Sequence, residues 1–103
     1  MGKMNLLQLA STLPAAWKST VVGRPGGSQL KVLRMDGLQY PDEVHGFDEA
    51  LLVMDGVMKL VVEGSTIDVQ AGEVYVVPAG QPHAVAAGSH GVLVIVDAQE
   101  CSR

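Results

Sequence analysis

Short apolar runs separated by turn residues dominate the chain from residue 20 onward. The runs are rich in β-branched residues and cover 21–22, 30–35, 50–54, 57–63, 66–69, 74–77, 83–86 and 92–96. Turn signals with glycine, proline or aspartate lie between them, at 24–27, 36–37, 40–42, 55–56, 63–65, 71–72, 78–80 and 88–89. Many short strands at this spacing predict an all-β antiparallel sandwich or barrel. The Asp55-Gly56 pair predicts a tight two-residue hairpin.

The run at 50–54 is apolar on both of its predicted faces. A strand that is wet on one side would alternate between apolar and polar residues. We therefore expect one face to meet the barrel interior and the other to meet an N-terminal helix, a second subunit, or both. This pattern predicts a homodimer.

The pattern changes to helical spacing at residues 5–13. The apolar side chains in this segment recur on one helical face. Asn5 can cap the helix, with Gln8 three residues later as in a capping box, and Pro14 ends it. The segment predicts one short helix that packs on the outside of the barrel.

The composition is that of one folded domain, spanning residues 1–103. Apolar residues make up 48% of the chain and charged residues 17%, and the formal net charge is −4. The seven lysine and arginine residues are scattered, so nucleic acid is an unexpected partner. The N-terminal stretch is too short and too polar for a signal peptide or a membrane span, so we expect no membrane partner. The single cysteine, Cys101, cannot form an internal disulfide and favours a reducing cytoplasmic location.

Two short segments supply side chains that could bind a metal. Glu43 and His45 are two residues apart, which on a strand places both side chains on one face, and Glu49 can join them after a short turn. His83 comes from a later predicted strand. Imidazole nitrogen and carboxylate oxygen suit iron, manganese, nickel, zinc or copper. His90 lies in a predicted loop, and we expect it and Asp48 to be solvated rather than ligands.

These segments resemble the two paired motifs of the cupin superfamily. In the first segment, residues 37–56, the residues at the family spacing are Gly37, Glu43, His45, Glu49 and Gly56. In the second, residues 72–87, they are Gly72, Pro78, Gly80 and His83. The resemblance implies a jelly-roll barrel, also called a double-stranded β-helix, of the small microbial type. It also implies that His45, Glu49 and His83 occupy three of the usual metal-ligand positions.

Two positions depart from the family pattern. Glu43 stands where the first histidine is expected, and Ala87 stands where asparagine is usual. Glutamate can bind a metal, so Glu43 is a fourth ligand, an acceptor that orients His45, a general base near the metal, or a solvated residue at the rim of the barrel. A second register, with His45 as the first histidine and Phe47 at the second position, breaks the spacing to Glu49.

The sequence supports three hypotheses for function. The first is a metal-binding cupin that binds or transforms a small polar metabolite in the barrel, as a metal-dependent dioxygenase or isomerase if it is an enzyme. The second is a non-catalytic module that uses the same pocket for a ligand. The third is a structural protein with a degenerate metal site. One fold hosts many chemistries, so the resemblance does not choose among them.

Overall fold

The computed structural model describes residues 2–98. They form a mostly β structure with one short helix, as the sequence predicts. The elements are α1 (Leu6–Ser11), β1 (Thr20–Gly23), a 3₁₀ turn (Pro25–Gly27), β2 (Ser28–Asp36), β3 (Tyr40–Glu43), β4 (Glu49–Val62), β5 (Ser65–Gln70), β6 (Val74–Val77), β7 (His83–Val85) and β8 (His90–Ala98). No helix in this range is long and apolar enough to cross a membrane. Cys101 lies outside the described residues.

All strand pairs are antiparallel, and the long strand β4 organises them. The strands follow the order β1-β2-β8-β4-β7-β3, and β5 and β6 also pair with β4. The first half of β4 pairs with β6 and β8, and its second half pairs with β5 and β7. Because one strand serves both groups of neighbours, the sheet curls round on itself and forms the predicted β-barrel.

The predicted hairpin at Asp55-Gly56 is wrong. These residues lie inside β4, which runs without a turn from Glu49 to Val62. The pairing with β8 shifts register between Val53 and Asp55, which marks a β-bulge at which the strand bends. Gly56 has a positive φ of 80°, a conformation that glycine adopts readily. At this position it allows the strand to bend and does not reverse the chain direction.

The turn predicted at residues 40–42 is also wrong. Tyr40 to Glu43 form β3, which pairs only with β7 and closes one end of the strand order. Pro41 fits there because an edge strand does not need every backbone N–H for pairing. The pairing is irregular between Tyr40 and Glu43.

Apolar residues are buried on both sides of the sheet. The barrel interior holds the larger cluster, which is composed of Leu33, Met35, Leu51, Val53, Met58, Leu60, Val62, Val69, Val77, Val85, Leu93 and Ile95. A smaller cluster on the outside joins Ala10 of α1 to Val32, Val92 and Val94 of the neighbouring strands. The helix therefore covers the outer face of β2 and β8, which explains why β8 is apolar on both faces.

The helix is shorter than the predicted segment 5–13. Asn5 caps it as expected, accepting a hydrogen bond from the Gln8 N–H at 3.0 Å. At the other end, the Thr12 hydroxyl donates to the Leu9 carbonyl at 2.7 Å, and Arg34 donates to the Leu13 carbonyl at 3.0 Å. The arginine on β2 therefore satisfies the carbonyl of Leu13, and the chain leaves the helix before Pro14.

Candidate metal centre

Four side chains, from β3, the β3–β4 loop, β4 and β7, meet at one end of the barrel. Glu43 ends β3 and lies directly opposite His83, the first residue of β7, in the strand register. Glu49 begins β4, and His45 lies in the loop that connects β3 to β4. Glu49 and His83 are each only 5% exposed, whereas Glu43 and His45 are half-buried. The cluster therefore has a buried side and a side that faces solvent.

Each imidazole lies close enough to both glutamates for their donor atoms to share one metal ion. His83 Nε2 lies 3.2 Å from Glu49 Oε1, and His45 Nε2 lies 3.3 Å from Glu43 Oε1. The His45–Glu49 and His83–Glu43 pairs are each 4.0 Å apart. Two atoms that each bind one ion at about 2.1 Å can be at most about 4.2 Å apart. Glu43, His45 and His83 form a group that fits a metal, and Glu49 lies within contact distance of both imidazoles.

Contacts of the two imidazole rings fix how they present their nitrogens. His83 Nδ1 lies 3.2 Å from the Gln81 carbonyl oxygen, to which it can donate a hydrogen bond. In the tautomer that makes this bond, Nε2, the atom that faces both glutamates, carries the lone pair that a metal would bind. The His45 ring stacks on Phe47, with ring centroids 5.2 Å apart. Phe47 thus supports His45 and does not occupy a ligand position.

Burial gives the cluster an unusual electrostatic state. Desolvation raises the pKa of Glu49 above its usual value, while the neighbouring His45 and His83 act in the opposite direction. The charge of Glu43, together with burial, raises the pKa of the Tyr40 phenol. A divalent cation between Glu43 and Glu49 would offset both the repulsion between the two carboxylates and the cost of burying the charge of Glu49.

The second motif holds the first in place through its backbone. The Gly80 N–H donates to the His45 carbonyl at 2.8 Å, and the Ala79 N–H donates to Asp48 Oδ1 at 2.9 Å. Asp48 is exposed and fastens this loop, in agreement with its expected place outside the ligand set. His90 is exposed at the start of β8 and is not a member of the cluster.

A cavity of about 150 Å³ opens beside the cluster. Its wall is mainly apolar, and the cavity lies at the end of the barrel that carries the four clustered side chains. The lining residues are Trp17, Ser19, Lys31, Leu33, Tyr40, Glu43, His45, Glu49, Leu51, Met58, His83, Val85, Leu93 and Ile95. Trp17 and Tyr40 stack on each other with centroids 5.5 Å apart. Both rings also pack against the interior core, as does Tyr75.

Sequence reasoning missed one charged pair in this region. Lys31 Nζ lies 2.7 Å from Asp97 Oδ2, and the Asp97 side chain is only 3% exposed. A signal was present, because Lys31 interrupts the apolar run 30–35 and Asp97 directly follows the run 92–96. On β2, Lys31 has the same strand parity as the interior residues Leu33 and Met35.

Comparisons with solved structures find the same fold over nearly the whole chain. A cupin-2 domain protein from Shewanella frigidimarina is 26% identical, with a TM-score of 0.84, over 93% of this chain and 94% of that one. Protein NMB1881 from Neisseria meningitidis is 23% identical, with a TM-score of 0.81, over 95% and 100%. The hydroquinone 1,2-dioxygenase PnpCD, solved with Cd²⁺ and 4-hydroxybenzonitrile, is 20% identical, with a TM-score of 0.78, over 93% and 72%. No curated protein matches this chain.

The family model described as Cupin_2, Cupin domain, matches residues 32–98. This region contains both motif segments, all four clustered side chains and every strand from β3 to β8. The resemblance identified in the sequence is therefore confirmed, and the chain belongs to the Cupin_2 family of cupin domains.

Proposed function

We propose that this cupin binds one divalent transition metal through His45, Glu49 and His83, with Glu43 as the fourth ligand. The cavity beside the metal then binds or transforms a small metabolite. The observation that carries this proposal is the set of donor distances, from 3.2 to 4.0 Å, that join each imidazole to both glutamates beside the cavity. Mixed nitrogen and oxygen donors favour iron, manganese, nickel, zinc or copper.

The chain's own residues prepare the site for the ion. A hydrogen bond from His83 Nδ1 to the Gln81 carbonyl would favour the tautomer whose Nε2 can bind a metal, and the Gly80 N–H holds the loop that carries His45. A bound metal would supply Lewis-acid chemistry at the cavity wall. A protein of the same fold has been solved with Cd²⁺, which shows that this barrel type accepts a dication in at least one other chain.

The role of Glu43 separates the two forms of this proposal. Its side chain is 35% exposed, the most exposed of the four, and it lies nearest to solvent at the mouth. As a ligand it adds negative charge and leaves fewer positions open for water or a metabolite. As a free carboxylate beside the metal it is placed to accept a proton, which suits a dioxygenase or isomerase.

Elemental mass spectrometry on protein purified without a metal-affinity column tests the proposal. We expect about one equivalent of a transition metal per chain, either as purified or after incubation with each ion. Absence of stable binding for every ion would overturn the metal proposal and would favour a metal-free ligand-binding or structural cupin. With metal bound, oxygen uptake and product analysis across a panel of metabolites separate the enzyme from the binding module.

We further propose that the chain forms a homodimer through the outer face of β4 and β6. Val74 and Val76 are each 56% exposed and lie opposite Leu52 and Ala50 in the strand register. Leu52 also packs on the outer cluster under α1, so this apolar surface continues from a covered region to an exposed one. A second copy would bury it. The cytoplasmic location remains a prediction from the single cysteine.

A further inference from the structure

The walls of the cavity indicate what kind of molecule it holds. Six of the lining residues are aliphatic or methionine side chains, and Trp17 and Tyr40 add an aromatic wall. Four of the polar side chains that line the cavity, Glu43, His45, Glu49 and His83, are gathered at one end. A molecule that fills this space must therefore be apolar over most of its surface and polar at one end.

The enclosed part of the cavity has room for about one ring. An apolar cavity of about 150 Å³, the volume found here, is known to hold benzene. A compound of roughly six to eight non-hydrogen atoms therefore fits inside. The cavity is open toward solvent, so a second ring would project out of the enclosed space.

The charges around the cavity disfavour an anionic ligand. Among the described residues that line it, Glu43 and Glu49 carry carboxyl groups and Lys31 carries the one ammonium. That ammonium is already paired with the buried Asp97 at 2.7 Å. A carboxylate or phosphate would enter a space in which acidic groups are in excess and the cation is engaged. With a dication in the cluster, the two glutamates would already balance its charge, so a neutral ligand would cost less to bring into the cavity than an anion.

We propose that the ligand of this cavity is an uncharged, hydroxylated ring compound of the size of a phenol. Its hydroxyl points toward Glu43, His45, Glu49 and His83, and its ring packs between the aliphatic wall and the Trp17–Tyr40 pair. The proposal depends on the proposed function in that the ligand shares the cavity beside the metal site. It narrows the small polar metabolite expected from the sequence to a molecule that is mostly apolar.

Calorimetric titration of the metal-free and Zn²⁺-loaded protein tests this with five probes: phenol, catechol, 1-naphthol, benzoate and inorganic phosphate. We expect phenol and catechol to bind at least tenfold more tightly than the other three. Benzoate and phosphate are anions, and 1-naphthol has a second ring that the cavity would not enclose. Benzoate or phosphate binding as tightly as phenol would overturn the proposal. So would the absence of phenol binding to both forms of the protein at millimolar concentration.

Two variants test the role assigned to the ion pair between Lys31 and Asp97. Asp97→Asn releases Lys31, so we expect benzoate affinity to rise at least fivefold while phenol affinity stays the same. Asp68→Asn, which breaks the exposed Lys59–Asp68 pair outside the cavity, is the matched control and should change neither. Unchanged benzoate affinity in a folded Asp97→Asn variant would contradict the charge argument. Circular dichroism checks folding.

Metal binding and ring binding are measured separately, so their failures are distinguishable. Zn²⁺ binding without phenol binding supports the metal proposal and overturns this one. If the protein binds phenol but retains no metal, the ring-sized cavity is supported and the metal proposal is overturned. Phenol can bind without metal because its hydroxyl can form hydrogen bonds with the histidines and glutamates directly.

Discussion

Gly56 of β4 and Gly91 of β8 lie against each other without room for a side chain on either. A Cβ at Gly56 would come within 2.0 Å of the His90 carbonyl oxygen, and one at Gly91 within 1.9 Å of the Asp55 oxygen. Both residues also have positive φ, 80° and 106°. The close contact allows β4 to bend at this point and to serve both halves of the barrel.

We therefore expect Gly56→Ala to destabilise the protein by about 3 kcal/mol or more, because it adds both backbone strain and a clash with backbone atoms. Gly72→Ala is the matched control. Gly72 has a φ of 87° but open space around the added Cβ, so strain alone should cost about 1–2 kcal/mol. Urea denaturation measures both. Equal losses would mean that the contact with Gly91 has no energetic role.

Removal of either imidazole should release the metal. We expect His45→Ala and His83→Ala each to weaken metal retention at least about tenfold, since each removes one of at most four ligands. His90→Ala, an exposed histidine outside the cluster, should leave metal content unchanged. Elemental analysis after dialysis against a weak chelator gives the comparison. Full retention in both cluster variants would place the metal elsewhere.

Substitutions at Glu43 test whether it is a ligand. Glu43→Gln keeps the shape but removes the charge, and a ligand role predicts about tenfold weaker metal binding. Glu43→His restores the residue type usual at this position in the family, so metal binding should be retained, with preference shifted toward nickel, copper or zinc. Competition titrations with these ions measure both changes. If Glu43→Gln binds as tightly as the parent protein, Glu43 lies outside the ligand set.

A charge on the outer sheet face should dissociate the predicted dimer. Val76 is 56% exposed on β6, and Val76→Glu would place a carboxylate in the interface. Size-exclusion chromatography with light scattering should show a mass of about 22 kDa, twice the chain mass of 10.8 kDa, for the parent and a monomer for the variant. Ile67→Glu, on β5 and also exposed, should remain dimeric. A monomeric parent protein would contradict the dimer.

The carboxylate of Asp36 should make the stability of the folded protein depend on pH in the acidic range. Its carboxylate accepts hydrogen bonds from the Leu38 N–H at 3.0 Å and from the Trp17 indole N–H at 2.7 Å, and these bonds lower the pKa of Asp36 below its usual 3.8. A lowered folded-state pKa stabilises the protein above about pH 4, and this contribution is lost as the pH falls further.

The variant Asp36→Asn isolates this effect. Asparagine can still accept one hydrogen bond but does not titrate in this range, so the difference in melting temperature between parent and variant should shrink between pH 5 and pH 2. Thermal melts monitored by circular dichroism at several pH values give the comparison. A difference that stays constant over this range would show that the carboxylate charge is irrelevant to folding.

Local patterns in the sequence were sufficient for much of the fold. The β-branched runs and the turn glycines predicted an all-β barrel, and Asn5 predicted the start of the helix. These features depend on neighbours in the chain, where propensity and capping act directly. The same local reasoning failed at Asp55-Gly56, because a glycine that permits a close approach between strands looks like a glycine that permits a turn.

The sequence by itself identified Glu43, His45, Glu49 and His83 as side chains with metal-binding donor atoms at motif spacing. Only the tertiary structure decided that Glu43 faces His83 across the β3–β7 pair and that both histidines reach Glu49. It also placed Lys31 beside Asp97 at the same end of the barrel. Such contacts join residues that are distant along the chain, and the register of antiparallel strands fixes them, which local patterns do not encode.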